Sequence, residues 1–348
     1  MLDNGLRDQL GGGFFRYTTD RQWRTPHYEQ MLHTQAQAAQ LLLRAGEQLG
    51  AQPYRDAGMA TLENMLRAFR RDDGLFRSAL SAVGHDGRDG SHYLWRVQEL
   101  EAVLGPQWQA KVEILVETPA GLLPALSMEA SETDRRALLQ QRERKPPPAD
   151  DKALLGLNGL ALSALAAGSD DTRFRKAAEQ LAGVLNSIAE DGTATRLIDR
   201  VDSGPATLED LVYAARGLVD WWRASGDARS ASGAAALLRK AHARFYRGTH
   251  WLDGDLAPLP GSSRSLLIQD SQLPSPAALW IDTAWQLAES EYEVQLGRLA
   301  DTASLVWPQA LHDNTFYHAT WLAAMIERRS RSPSLSSFQN TARIARLI

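Results

Sequence analysis

Residues 166–192 read AAGSDDTRFRKAAEQLAGVLNSIAEDG, and residues 223–246 read RASGDARSASGAAALLRKAHARFY. In each stretch a helix ends at a small-residue break that contains glycine, and a second helix rich in Ala and Leu follows. The same arrangement occurs near the N-terminus, where Gly50 separates two amphipathic segments. The chain is therefore predicted to consist of repeated helical hairpins rather than a β-α-β alternation.

Apolar residues at three- and four-residue spacing predict the individual helices. The first helix is predicted to begin at Pro26, with Thr25 as its N-cap, and to end at Leu49. The stretch ALLGLNGLALSALAAG is too short and too polar to cross a bilayer, so it predicts a buried helix. Further helices are predicted over residues 53–73, 208–224, 276–288, 291–304 and 313–328.

Two segments interrupt the helical pattern. Residues 73–95 alternate like short strands around a Gly-rich turn. Residues 142–152, RERKPPPADDK, contain three prolines that end the preceding helix and favour an extended crossing to the next one. Because apolar helices lie on both sides of this crossing, residues 1–328 are predicted to form one domain, with residues 329–348 as a C-terminal tail.

Repeated hairpins either stack into an open solenoid or close into a toroid of two concentric helix rings. The connections over residues 72–95 and 247–274 are too long for a tight superhelix, and they favour closure. In a closed toroid the ligand site is the concave end. The predicted fold is thus an all-α toroid of helical hairpins with a few short strands in its loops.

Composition excludes several classes of function. The 348 residues are 44% apolar and 23% charged, which is typical of a globular protein with a sizeable core. The net charge is −4, and basic and acidic residues are interleaved, so neither nucleic acid nor a membrane is an expected partner. There is no cysteine, which excludes disulfides and thiol chemistry. The N-terminus lacks the pattern of a secretory signal, so a cytoplasmic location is expected.

Several motifs resemble one family when taken together. They are DQLGGGFFRYTTDRQWRTPHYEQML, DGLFRSALSA with HYLW, PPPADDKALLGLNGLALSALA, ATLEDLVYAARGLVDWWRASGD and LPSPAALWIDTAWQLA. In this order they resemble the helical part of the YyaL-like, thioredoxin-domain-containing family of spermatogenesis-associated protein 20. The resemblance implies an (α/α)6 toroid like those of N-acylglucosamine 2-epimerases and six-hairpin glycosidases. It also implies that this chain begins where a thioredoxin-like domain would end, so redox chemistry is not expected.

The chain departs from the family pattern at four positions. The family usually has histidine where this chain has Phe15, and tryptophan where it has Leu157. It usually has an acid where this chain has Leu273, and asparagine where it has Ala277. Loss of these groups from the concave end favours a degenerate catalytic site.

His27 and Glu29 match the family's Pro-His-Phe-Glu pattern and are predicted to lie in the first helical turn. One interpretation makes them proton-transfer groups at the mouth of the toroid. In the other they tie the helix start to the loop at residues 11–13. Residues two apart on a helix do not share a face, which disfavours joint action. Neither a preceding strand nor a lysine accompanies the three glycines, so they do not predict a phosphate cradle.

Acidic residues at other predicted helix starts are the next candidates. If helix starts converge at the concave end, Asp151 and Asp210 would join His27 there, with Asn158 nearby. Two carboxylates at a suitable separation serve as acid and base in glycoside hydrolysis. The alternative is that acids at these positions only cap helices.

Aromatic residues complete the candidate site. Sugars stack on aromatic faces, and two or three of the ten tryptophans are expected at the mouth, among them Trp23 and Trp95, beside Arg16 and Tyr17. His85 and His92 flank a turn-like loop that is either a ligand contact or simply solvated. No metal site and no cofactor is predicted.

The sequence leaves three hypotheses for function. The first choice is a toroid that binds a saccharide or similar polar molecule with a degenerate catalytic site. The second is an active sugar epimerase, isomerase or glycosidase, with His27, Glu29, Asp151 and Asp210 as catalytic residues. The third is a non-catalytic module that binds a protein partner, such as a separate thioredoxin-like chain.

Overall fold

The structure is a computed structural model that describes residues 1–200, 203–252, 269–289, 293–305 and 315–331. Its helices, in chain order, are α1 (Leu32–Leu49), α2 (Gln52–Asn64), α3 (Val97–Leu104), α4 (Trp108–Lys111), α5 (Glu132–Glu143), α6 (Leu155–Ala167), α7 (Thr172–Asp191), α8 (Leu208–Ser225), α9 (Ala228–Phe245), α10 (Pro276–Glu289), α11 (Val294–Ser304) and α12 (Ala319–Arg331). A π-helical turn, Met65–Phe69, continues α2, and a 3-10 turn, Thr315–His318, precedes α12.

The strands are short and antiparallel. They are β1 (Tyr17–Thr18), β2 (Pro26–His27), β3 (Gln30–Met31), β4 (Ala79–Leu80), β5 (Val112–Thr118), β6 (Gly121–Leu126) and β7 (Ala149–Asp150). β1 pairs with β2, β5 pairs with β6, and β4 lies between β3 and β7. The predicted strand-like segment after residue 73 therefore supplies β4, and the extended crossing after the three prolines supplies β7. The β5–β6 hairpin is not predicted by the sequence patterns.

The chain divides into two compact units: Met1–Val184 with Leu197–Val201, and Leu185–Arg196 with the described part of Asp202–Ile348. In the first unit α1 packs against α2 and α6, and α3 packs against α5. In the second unit α8 pairs with α9, α10 pairs with α11, and α10 also packs against α8 and α12. The predicted helical hairpins are thus confirmed, with their breaks at Gly50 and Gly226.

An aromatic cluster lies at the centre of the first unit's N-terminal half. The ring of Phe15 meets the rings of Tyr28 and Tyr93 edge-on, at centroid distances of 5.4 and 4.8 Å. In the second unit Trp251 and Trp280 pack together, and the Trp280 indole donates to the carbonyl of Leu238. Among the described tryptophans, only Trp23 is exposed. Most tryptophans therefore form the core, as the sequence indicates.

Some predictions fall outside the described residues. Residues 253–268 of the predicted long connection and residues 332–348 of the predicted tail lie outside them. Residues 329–331 belong to α12. The single-domain boundary at residue 328 stays a prediction.

Candidate functional site

The segment around His27 is extended, so the predicted helix start at Pro26 is wrong. Pro26–His27 forms β2, Gln30–Met31 forms β3, and α1 begins at Leu32. The physical reason is the alternating burial from position 26 to position 30. Tyr28 must enter the aromatic cluster and Gln30 must bond Asn64, and two residues spaced by two share a face only on an extended chain.

This correction brings together His27 and Glu29, which a helix would have separated. Both side chains lie on the same outward face, with His27 Nδ1 4.0 Å from Glu29 Oε2. Arg16 reaches the same carboxylate at 2.8 Å, and its backbone N–H donates to the carbonyl of Glu29. The three charged or titratable groups are half-exposed, so solvent and a ligand can reach them.

Tyr17 extends this group. In the β1–β2 register Tyr17 lies opposite His27, and the two rings stack at 4.9 Å with an interplanar angle of 9°. The Tyr17 side chain is nonetheless exposed. His27 Nδ1 is buried and has no hydrogen-bond partner among the described residues. The stack therefore presents the exposed ring of Tyr17 beside the Arg16–Glu29 pair.

Trp23 lies in the loop that joins β1 to β2. It is the only described non-glycine residue with a positive φ, at 60°, which is an uncommon conformation for a bulky side chain. Asp20 holds the loop by accepting hydrogen bonds from the backbone N–H groups of Gln22, Arg24 and Thr25. These bonds, led by the one from Thr25, lower the pKa of the Asp20 carboxyl. Because strained backbone often occurs at binding sites, Trp23 stays a candidate binding residue.

His33 lies just inside this surface, in the first turn of α1. Burial lowers the pKa of the His33 imidazole, the charge of Arg16 lowers it further, and Glu29 opposes both. His33 is therefore neutral near pH 7.

We call Arg16, Tyr17, Trp23, His27 and Glu29 the hairpin surface.

Two other predicted ligand-binding residues, Trp95 and Asn158, are buried and contact other parts of the protein core. Trp95 is buried in a core cluster with Leu10 and Leu100. Asn158 is fully buried in α6 and exchanges hydrogen bonds with the backbone of Phe76, at 2.8 and 3.1 Å. Asn158 thus fixes the loop before β4 to α6, and the structure does not place it on the hairpin surface.

The bonds that the two predicted catalytic aspartates form do not involve the hairpin surface. Asp151 follows β7, is exposed, and pairs with Arg77 at 3.1 Å. Asp210 is the third residue of α8, in the second unit, and forms a capping box with Thr207. The capping interpretation therefore describes the contacts of Asp210, and an ion pair describes those of Asp151.

The three glycines form a structural junction. Gly11 donates its backbone N–H to Asp8, and the side chain of Arg142 donates two bonds to the same carboxylate. Gln35 exchanges bonds of 2.7 Å with the backbone of Phe14. A Cβ at Gly11 would lie 2.3 Å from Asp8 Oδ2, so any larger residue there would displace this carboxylate. Sequence patterns missed Asp8, Gln35 and Arg142, since no local spacing links them.

The residues that depart from the family pattern differ in their surroundings. Phe15 is fully buried in the aromatic cluster, Ala277 is buried, and Leu157 and Leu273 are half-buried. At position 15 the side chain belongs to the core rather than to an accessible site. Phe15 supplies no titratable group at this position.

Within the described ranges, no cluster of three or more His, Asp or Glu side chains is arranged to hold a metal ion. The same residues include no helix with the length and apolar character needed to cross a membrane.

Comparisons with known proteins show relatives in sequence and in fold. No family model matches the chain. Human spermatogenesis-associated protein 20 is 29% identical, over a match that covers 65% of this chain and 37% of that protein. The mouse protein of the same name is 36% identical over 109 residues, which are 30% of this chain and 14% of the relative. The chain is thus homologous to these proteins and spans little more than a third of the human one.

Two solved structures share the fold. Cellobiose 2-epimerase from Spirochaeta thermophila superposes with a TM-score of 0.54 at 14% identity, covering 89% of this chain and 66% of the epimerase. A sugar epimerase from a ruminal bacterium gives a TM-score of 0.53 at 13% identity, covering 87% and 67%. These likenesses confirm the predicted all-α (α/α)6 toroid class.

Proposed function

We propose that this homologue of spermatogenesis-associated protein 20, with the fold of sugar epimerases, binds a saccharide at the hairpin surface. The observation that carries the proposal is the flat stack of exposed Tyr17 on His27. The apolar C–H face of a sugar ring packs on such an aromatic face, and its hydroxyl groups need donors and acceptors at the edge. Arg16 supplies donors and Glu29 supplies acceptors within the same contact group.

Binding without turnover is the form of this function that we favour. Phe15 lies in the core and has no titratable group, so position 15 cannot supply an acid or a base. Asp151 and Asp210 are held in an ion pair and a helix cap. His27 and Glu29 are then the remaining predicted catalytic residues on the hairpin surface.

An active epimerase or isomerase is the second candidate. It is favoured by the pairing of His27 with Glu29, whose carboxylate lies 4.0 Å from His27 Nδ1. An imidazole base can remove the proton from a carbon next to a carbonyl and return it to the neighbouring carbon of the enediol intermediate, which isomerises a sugar. This candidate assigns His27 as the base and Glu29 as the group that orients it.

A calorimetric titration with cellobiose and a panel of monosaccharides tests saccharide binding. We expect one panel member to bind and to raise the melting temperature. Tyr17→Ala should weaken that binding about two- to tenfold, since an aromatic contact contributes roughly 0.5–1.5 kcal/mol. Tyr54→Ala is the matched control, because Tyr54 is an exposed tyrosine on α2. A panel without any binding or melting shift contradicts the proposal and favours the protein-partner hypothesis.

Turnover is measured separately, by following deuterium uptake from D2O into the sugar carbon beside the carbonyl. Binding without uptake supports the degenerate site. Uptake that disappears in His27→Gln, with binding retained, establishes the epimerase or isomerase instead.

A further inference from the structure

A cleft in the first unit lies between the loop after β4 and the end of α5. Its volume is about 390 Å³, in the range of sites for small metabolites. One wall is formed by residues 84–96 and Glu99, the other by residues 141–146, and Ala120 closes one side. The hairpin surface contributes no residue to it.

The cleft is strongly cationic. Its lining includes Arg88, Arg96, Arg142, Arg144 and Lys145, against Asp86 and Glu99 as its acids. Arg88 pairs with Asp86 at 2.7 Å, and Lys145 lies 3.9 Å from Glu99. Among the residues that the structure describes, Arg96 and Arg144 form no ion pair. Two arginines without counterions, next to three paired cations, raise the local potential and attract an anion.

The preference for basic residues at helix C-termini explains only part of the positive charge of the cleft. Basic residues are favoured at the C-terminus of α5, which accounts for Arg144 and Lys145. Arg88 and Arg96 lie on the opposite wall, in a separate loop, and Arg96 is at the N-terminal end of α3. Two walls from different parts of the chain therefore bring positive charge to one space.

Buried donors without partners line the same cleft. Trp95 and Arg142 are more than nine-tenths buried, and Trp95 Nε1–H and Arg142 Nε–H have no acceptor among the described residues. The Arg142 guanidinium is fixed by its two bonds to Asp8 and lies 5.3 Å over the Tyr93 ring. Arg142 is therefore a cation held in a fixed position in the wall of the cleft.

We propose that this cleft binds the phosphate group of a small polar molecule, with a phosphorylated monosaccharide as the ligand class. Several converging cations suit a doubly charged group better than a single carboxylate. Arg96 and Arg144 are assigned as the main phosphate contacts. The volume beyond the phosphate accommodates a sugar-sized body.

Calorimetric titrations of the full chain with glucose 6-phosphate, glucuronate, inorganic phosphate and glucose test this site. Glucose 6-phosphate should bind most tightly, and its affinity should fall as salt is added. Arg96→Gln and Arg144→Gln should each weaken it about tenfold, the value of a lost charge-assisted hydrogen bond. Arg136→Gln, an exposed arginine on α5 outside the cleft, is the matched control and should leave binding unchanged.

The outcomes separate clearly. Preference for glucuronate over glucose 6-phosphate, or equal binding of glucose, overturns the phosphate assignment. Equal losses in Arg136→Gln and Arg144→Gln would show unspecific attraction and overturn the site. Tyr17→Ala should retain phosphate binding, so this site can fail or succeed independently of the saccharide proposal.

His92 gives a second readout from inside the cleft. Burial lowers the pKa of its imidazole to about 4, and Arg142 and Arg67 add to this, while its bond to the Lys145 carbonyl and the charge of Asp8 oppose it. The edge of Tyr93 packs against the ring. A bound phosphate adds negative charge beside His92, so its pKa measured by NMR should rise. An unchanged pKa at saturating glucose 6-phosphate would place the ligand elsewhere.

Discussion

Arg142 donates two parallel hydrogen bonds, of 2.9 and 2.8 Å, to the carboxylate of Asp8, 134 positions earlier in the chain. Both side chains are buried, and Gly11 donates a third bond to the same carboxylate. The pair therefore joins the glycine loop to the end of α5. It also fixes the guanidinium that forms part of the cationic cleft.

Asp8→Asn should be strongly destabilising. The substitution leaves Arg142 charged and buried without its counterion, which costs about 3–5 kcal/mol. Urea unfolding measures the loss, and Asp3→Asn, at an exposed position, should change the free energy of unfolding by less than about 0.5 kcal/mol. Equal stability of Asp8→Asn and the unchanged chain would show that the pair is dispensable.

The Asp8–Arg142 pair should make the free energy of unfolding depend on pH in the acidic range. Burial raises the pKa of the Asp8 carboxyl, but the charge and hydrogen bonds of Arg142 outweigh it, and the pKa lies below the ordinary 3.8. A lowered carboxyl pKa stabilises the fold above about pH 4, and the contribution disappears as the pH falls through the folded pKa. The stability difference between the unchanged chain and Asp8→Asn should therefore shrink between pH 7 and pH 2.5. A constant difference across this range would contradict the assignment.

Helical periodicity predicts the hairpins because the sequence signals that define each helix lie within the helix itself or next to its ends. α8 runs over Leu208–Ser225 against a prediction of 208–224, and its Thr207 capping box is visible in the sequence. α10 runs over Pro276–Glu289 against 276–288. In both helices the apolar face and the end signals lie within one turn of the residues that they define.

The candidate site was less predictable because its geometry depends on distant partners. The segment at His27 carries a helix-start signal, yet it pairs with β1, and Tyr28 enters a cluster with Tyr93. That long-range packing overrides the local signal and places His27 and Glu29 on one face. The Asp8–Arg142 pair has no sequence signal at all, since its members are acidic and basic residues like many others in the chain.

Gly11→Ala should break the contact between the glycine loop and the end of α5. The added Cβ would lie 2.3 Å from Asp8 Oδ2 and 2.4 Å from Arg142 Nη2, so the ion pair must separate. We expect a loss of about 3 kcal/mol or more in the free energy of unfolding, similar to Asp8→Asn. Gly183→Ala is the control, because its Cβ would meet open space on α7 and alanine favours a helix by about 1 kcal/mol. The two substitutions should thus have opposite signs, and a stable Gly11→Ala would contradict the packing.

Phe15→His tests whether position 15 is a lost catalytic site or part of the core. Phe15 is fully buried against Tyr28 and Tyr93, so histidine there would bury a polar ring without a known partner and should cost about 2–4 kcal/mol. Burial would also lower the histidine pKa, so the variant should lose further stability as the pH falls below about 6.5. Phe15→Leu, which keeps the site apolar, should cost less and show no such pH dependence. A stable Phe15→His that gains sugar turnover would instead establish position 15 as catalytic, because only an accessible imidazole could exchange protons with a ligand.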